Sequence, residues 1–260
     1  MDLNKEEEII YPLYKDTVKL VFNPTTHVYT IDGKKVDGTT SILGVIAKPA
    51  LLYWAVNVTI SHFQNNLKPG EIYDEIQLKA LFNDAKSAHR KKSTEAADIG
   101  TIVHNWIKDH VAGKKPKLPI NKSSRNAIDT FLRWEKEHHV KFLESERILY
   151  SKKYGYAGTL DFIAEVDGKI KIGDYKTSTG IWDEYWFQLA SYQQAFQEEF
   201  PEKKIAGGII VRIGKDGSLE VAERDDYEDN VKAFNAALVL YRRINKLKEE
   251  KPQFIPRKRW

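Results

Sequence analysis

The chain has 260 residues, enough to bury a substantial core, and no cysteine. Disulfides, cysteine-ligated zinc and an iron–sulfur cluster are therefore excluded, so any metal must sit on oxygen and histidine, which points to magnesium or manganese. At 42% hydrophobic and 30% charged residues, with a net charge of +4, the composition is that of a soluble globular protein with a weak leaning towards nucleic acid.

No apolar run approaches the roughly 18 residues a membrane-spanning helix needs. The start, Met1 to Ile10, is acidic and shows no signal or transit pattern, so an intracellular protein is expected. The positive charge is clustered: Lys86, Arg90, Lys91 and Lys92; Lys114, Lys115 and Lys117; Lys152 and Lys153; Arg257, Lys258 and Arg259. Any one such cluster is more often a solvated face than a binding site.

In chain order, His27 to Ile31 and Lys34 to Val36 flank Asp32-Gly33, a hairpin signal. A helical region follows over Ser41 to Asn65, with Pro49 at a turn or first-turn position. Pro69-Gly70 breaks it, and helices are expected over Asp74 to Lys92 and Ser93 to Ala112. Gly113 and Pro116 end the second of these. Another helix fits Ser123 to His139. Strands then fit Leu143 to Tyr150, Tyr156 to Val166 and Lys169 to Thr177. A helix over Asp183 to Phe200 follows. Two strands, Ile205 to Ile213 and Leu219 to Ala222, surround Asp216-Gly217, and a last helix spans Tyr227 to Glu250. The second half therefore reads α-β-β-β-α-β-β-α. A first lobe, 1–92, and a core, 93–260, form a soft division.

Asp167-Gly168 carries the most information. Between extended segments it favours a two-residue turn, which pairs Val166 with Lys169. Stepping outward sets Asp161 opposite Asp174 on one face of the hairpin, Cβ atoms roughly 4.5–5.5 Å apart. Lys176, two residues on, shares that face, with Thr159 across from it. Facing aspartates repel, and a divalent cation between them relieves the repulsion. A surface ladder neutralised by Lys176 is the bland alternative. The apolar neighbours Leu160, Phe162, Ile163 and Ile172 argue against it, and a β-bulge would undo the register.

Gly100 and His104 are one turn apart on a helix face. A glycine there lets a ligand or another chain segment approach, leaving His104 free to reach a metal. Alone, such a histidine is more often a core or boundary residue. Gln188 and Tyr192 share a face of the helix after Lys176, as a polar boundary stripe or as partners of a phosphate or of the lysine. Trp182, Tyr185 and Trp186 at its start stack on bases or belong to the core.

Gly158-Thr159-Leu160-Asp161, Asp174-Tyr175-Lys176-Thr177, Gln188-x-x-x-Tyr192 and Gly100-Thr101-x-x-His104 together resemble the PD-(D/E)XK nuclease superfamily. The match is to its RecB-like exonuclease branch, which includes phage exonucleases, CRISPR-associated RecB-like nucleases and the mitochondrial genome maintenance exonuclease. The resemblance spans about Ala96 to Ile213. It implies an α/β fold, a central mixed sheet flanked by helices, here with an N-terminal hairpin-plus-helices extension. It implies that His104, Asp161, Asp174 and the Tyr175 main-chain carbonyl ligate Mg²⁺ or Mn²⁺, and that Lys176 positions or activates the attacking water. Gln188, Tyr192, Thr177, Gly100, Thr159 and Trp182 would support the site or contact DNA. Some relatives keep an acidic residue where Glu146 stands.

Many members of the branch carry a four-cysteine iron–sulfur cluster, which this chain cannot. No phosphate-binding G-x-x-x-x-G-K-[ST] loop is present, so no ATP-driven motor is expected. The expected activity is metal-dependent hydrolysis of DNA from an end, in replication, recombination or repair, alone or with other proteins of those processes. The expected setting is a bacterial or phage-infected cytoplasm, with the mitochondrion as alternative. A structure-specific endonuclease and a silent DNA-binding module are the rival readings, and the complete Asp, Asp, Lys set argues against the second.

Overall fold

A computed structural model of the chain describes residues 8–250. The start of the acidic segment, Met1 to Glu7, and the Arg257, Lys258, Arg259 cluster lie outside the described residues. Strands β1 (Ile9–Leu13), β2 (Val18–Asn23), β3 (Val28–Ile31) and β4 (Lys34–Gly38) form an antiparallel meander. Asp32 and Gly33 both take positive φ between β3 and β4, as a tight turn requires. β1 and β2 are additional to the expected hairpin. Their signal is the alternation Val18-x-Leu20-x-Phe22, which buries Leu20 and Phe22.

The helical region after the meander is two helices, α1 (Thr39–Leu43) and α2 (Pro49–Asn66). Gly44 closes the first, and Pro49 stands in the first turn of the second, where its missing N–H costs nothing. α3 (Glu75–Val111) is one helix of 37 residues rather than two. Asp74 and Gln77 cap it reciprocally. No glycine or proline interrupts it near Lys92. The soft division after Lys92 therefore falls inside a continuous helix, and β4 joins the first segment to the same sheet as the second.

The rest follows the expected order: α4 (Lys122–Glu137), β5 (Lys141–Ser151), β6 (Tyr156–Val166), β7 (Lys169–Lys176), α5 (Asp183–Glu199), β8 (Gly208–Ile213), β9 (Leu219–Arg224) and α6 (Tyr227–Glu249). The sheet is mixed. It runs β1-β2-β3-β4-β6-β7-β8-β9, with β5 on the other edge of β6. The β4–β6 and β7–β8 pairs are parallel and the others antiparallel.

Helices cover both faces. Ile42 of α1, Trp186, Leu189 and Phe196 of α5 and Phe234 of α6 pack with Leu160, Ile163, Ile172 and Ile210. Val103 and Ile107 of α3 and Phe131 and Trp134 of α4 pack with Phe162, Ala164, Tyr175 and Val211. Among the described residues no helix is long and apolar enough to cross a membrane.

Candidate metal centre

The β6–β7 ladder runs in the register the Asp167-Gly168 turn dictates, from Val166 with Lys169 to Phe162 with Gly173. It stops there, one step short of Asp161 and Asp174. The other half of that β6 edge is taken by β4, at Tyr156 and Ala157. The strands therefore fork at Asp161. Thr159 is not paired with Lys176; its hydroxyl meets Tyr29 Oη of the meander at 2.8 Å. The alternation of faces also slips here. Leu160 packs with α5 and α6, whereas Phe162, two residues on, packs with α3 and α4. A side chain at the fork is thus within reach of both helix layers.

A second irregularity brings Glu146 to the same level. Leu143 is an extra residue in β5, bulged between Phe142 and Glu144. Ser145 pairs with Phe162 and Arg147 with Leu160, so Glu146 falls beside Asp161, where the ladder is interrupted. Glu146 takes φ 52°, a left-handed conformation rare for a side chain with a Cβ. Strain of that kind costs of order 1–3 kcal/mol and persists only where its surroundings impose it.

From the α3 side His104 completes a cluster. Single ligand atoms of His104, Glu146 and Asp161 all lie within 4.8 Å of one another. His104 Nδ1 is 3.6 Å from Asp161 Oδ2, too far for a hydrogen bond and suited to an ion between them. One imidazole and two carboxylates are a donor set for Mn²⁺ or Mg²⁺. Burial first, then the neighbouring Asp161 carboxylate, raises the pKa of Glu146 above the ordinary carboxylate value. Two carboxylates converging with one imidazole offer three ligand atoms to a cation. Asp161 Oδ2 also accepts the Tyr175 amide at 2.8 Å, which fixes its orientation.

From the α5 side comes a lysine relay. Asp174 is almost wholly buried, and its Oδ2 lies 2.5 Å from Lys176 Nζ. Burial pushes the Asp174 carboxyl up to about 6, against the pull of Lys176. Burial works against the Lys176 ammonium too, but Asp174 and Asp161 outweigh it and raise its pKa. The ammonium is therefore charged at neutral pH. It donates to Gln188 Oε1 at 3.1 Å, and Gln188 Nε2 donates to Tyr192 Oη at 2.8 Å. The Tyr185 ring lies under the ammonium, its centroid 4.5 Å away.

Glycines make room for this packing. A Cβ on Gly158 would meet Tyr192 Cε1 at 2.5 Å, and one on Gly100 would meet Thr177 Oγ1 at 3.1 Å. Trp182 precedes α5 and is 45% exposed, whereas Trp186 is core. The structure thus gathers His104, Asp161 and Glu146 at one point, and Asp174, Lys176, Gln188 and Tyr192 beside it. Asp174 lies with the lysine rather than in the three-residue cluster. Tyr29 and Tyr185 join the site without a motif to announce them. Nothing in the linear sequence brings Tyr29 to Thr159, and Tyr185 is visible there only as one of three aromatics.

No family model and no curated protein sequence matches the chain. Among solved structures, a protein of Eubacterium rectale provisionally named an exonuclease is similar at 13% identity and a TM-score of 0.41. The match covers 60% of this chain and 69% of that one. A protein designated SSO0001 is similar at 16% identity and a TM-score of 0.28, over 60% of this chain and 88% of that one. Both likenesses are too shallow to bear on function.

Proposed function

We propose that the chain is a metal-dependent DNA nuclease of the PD-(D/E)XK type, RecB-like branch, acting from strand ends. The observation that carries this reading is the His104, Glu146, Asp161 cluster at the fork of β6 and β7, with the Lys176 ammonium beside it. Those three residues would hold Mg²⁺ or Mn²⁺, and Asp174 and the Tyr175 carbonyl are the further ligands the resemblance implies. A divalent cation there supplies a Lewis acid at the scissile phosphate and makes water a better nucleophile.

The chain's own groups do the rest. Lys176, oriented by Asp174 and Gln188, offers hydrogen bonds to the attacking water or to a phosphate oxygen as charge builds on it. Hydrolysis forms a bond from the water oxygen to phosphorus, breaks the bond to the leaving sugar oxygen and moves a proton to that oxygen. The exposed cations of α3 steer the phosphate backbone towards His104 on the same helix. Replication, recombination or repair is the setting for such chemistry. The test is cleavage of labelled DNA in Mg²⁺ or Mn²⁺, with Lys176→Ala expected to abolish it while DNA binding survives.

A further inference from the structure

A cavity of about 350 Å³ opens between the last turns of α3 and the bulged part of β5. Its walls are Lys108, Val111 and Ala112 on α3, and Phe142, Leu143 and Ser145 on β5. Glu144 and Glu146 also line it. Glu146 thus belongs both to the cavity and to the candidate metal cluster. The carboxylate of Glu144 is engaged elsewhere, with Arg147 at 2.9 Å and Lys203 at 3.4 Å. Lys108 is exposed, follows His104 by one helical turn and forms no ion pair among the described residues.

We propose that this cavity seats the terminal nucleotide of the strand being cut, held as a nucleoside monophosphate with Lys108 at its phosphate. The inference rests on the nuclease reading and deepens it by naming what occupies the space next to the reacting phosphate. Three features select this occupant. The volume lies near the lower end of the roughly 300–1,000 Å³ typical of small-molecule clefts, room for one nucleotide and not for a duplex. The walls of Val111, Ala112, Phe142 and Leu143 are apolar and suit the faces of a base, while Ser145 offers a hydroxyl. Lys108, the one cation in the lining among the described residues, stands beside Glu146, so a phosphate bound to it lies towards the metal cluster. A site that receives a single terminal nucleotide next to the cutting centre removes nucleotides from an end.

Thymidine 5′-monophosphate is the probe, titrated calorimetrically in Mn²⁺ into the wild type, Lys108→Glu and Ala112→Trp. Ala112 is exposed at the end of α3, so the tryptophan fills the cavity without entering the core. The wild type should bind one equivalent, Lys108→Glu at least tenfold more weakly, and Ala112→Trp not at all. Equal isotherms in the three proteins, or none in the wild type, overturn the assignment. DNA cleavage is read separately on the same preparations. Cleavage with unchanged isotherms defeats this inference alone. A wild type that binds the nucleotide as described but never cuts DNA defeats the nuclease reading instead.

Discussion

The Tyr175 amide donates to Asp161 Oδ2 at 2.8 Å, across the point where the β6–β7 ladder has just ended. A side-chain carboxylate therefore takes over a backbone donor at the fork. This bond keeps Asp161 pointing between the strands. Tyr175 is itself anchored, its ring buried and stacked on Phe162 with centroids 4.6 Å apart. The aspartate at the centre of the proposed chemistry is thus set by a packed aromatic pair beneath it.

The geometry separates the roles of the acids. Glu146 and Asp161 converge with His104, whereas Asp174 is paired with Lys176. Calorimetric Mn²⁺ titration should show Glu146→Gln and Asp161→Asn losing at least tenfold in affinity, and Asp174→Asn losing less than either. An Asp174→Asn loss exceeding that of Glu146→Gln would move the ion away from the three-residue cluster.

A cation that binds only the folded chain stabilises it, by about 2.7 kcal/mol at a hundredfold excess over Kd. Thermal unfolding in Mn²⁺ should therefore shift upward, and the shift should vanish on chelation with EDTA. It should be absent from a His104→Ala, Asp161→Asn double variant. An identical shift in that variant would place the ion elsewhere.

Glu146→Gly should raise metal-free stability while weakening Mn²⁺ binding. The glycine accepts φ 52° without strain, and the substitution removes a carboxylate facing Asp161. The gain expected is about 1 kcal/mol, at the low end of the cost of such strain because a partly buried side chain is lost. Chemical denaturation in EDTA measures it. Loss of stability would mean that the lost side-chain contacts and the freedom of glycine outweigh the strain relieved.

Gly158→Ala should disturb the lysine through Tyr192. The new methyl would displace the ring it meets at 2.5 Å, and the Tyr192, Gln188, Lys176 relay with it. Overpacking of this kind costs about 1–3 kcal/mol. Cleavage should fall more than tenfold with Mn²⁺ affinity unchanged, and wild-type kcat in the variant would disconnect the relay from catalysis.

The cations of α3 should appear in the salt dependence of DNA binding. Lys91 is tied to Asp84 at 2.6 Å, whereas Lys86, Arg90 and Lys92 are exposed without an ion pair among the described residues. Changing those three to glutamine should flatten the plot of log single-strand affinity against log salt. The slope should fall by roughly 0.7 for each phosphate that these cations neutralise. An unchanged slope would remove that face from the DNA path.

What is legible in the sequence depends on how local the cause is. The Asp167-Gly168 turn fixes the register of β6 and β7, and five ladder pairs follow from it. The fork beyond Phe162 is not legible, because it arises from β4 occupying the rest of that edge, more than a hundred residues away in the chain. The same distance hides the meeting of Tyr29 and Thr159. Glu146 is readable only as an acidic residue on a strand. The bulge at Leu143 and the left-handed backbone that turn it towards His104 have no dipeptide signature. The break expected in α3 near Lys92 has no glycine or proline behind it, and the helix runs on. Along its length α3 packs on α2, α4 and β5.

The His104, Glu146, Asp161 cluster and Lys176 are proposed to form one hydrolytic centre for DNA. Incubation of wild type and Lys176→Ala with end-labelled linear and circular DNA, single- and double-stranded, in Mg²⁺ or Mn²⁺ tests it most directly. The wild type should cleave linear DNA and spare circles, nothing should be cut in EDTA, and Lys176→Ala should lose at least a hundredfold with DNA binding retained. Cleavage by Lys176→Ala at the wild-type rate, or no cleavage of any substrate by a folded, Mn²⁺-loaded wild type, would contradict it.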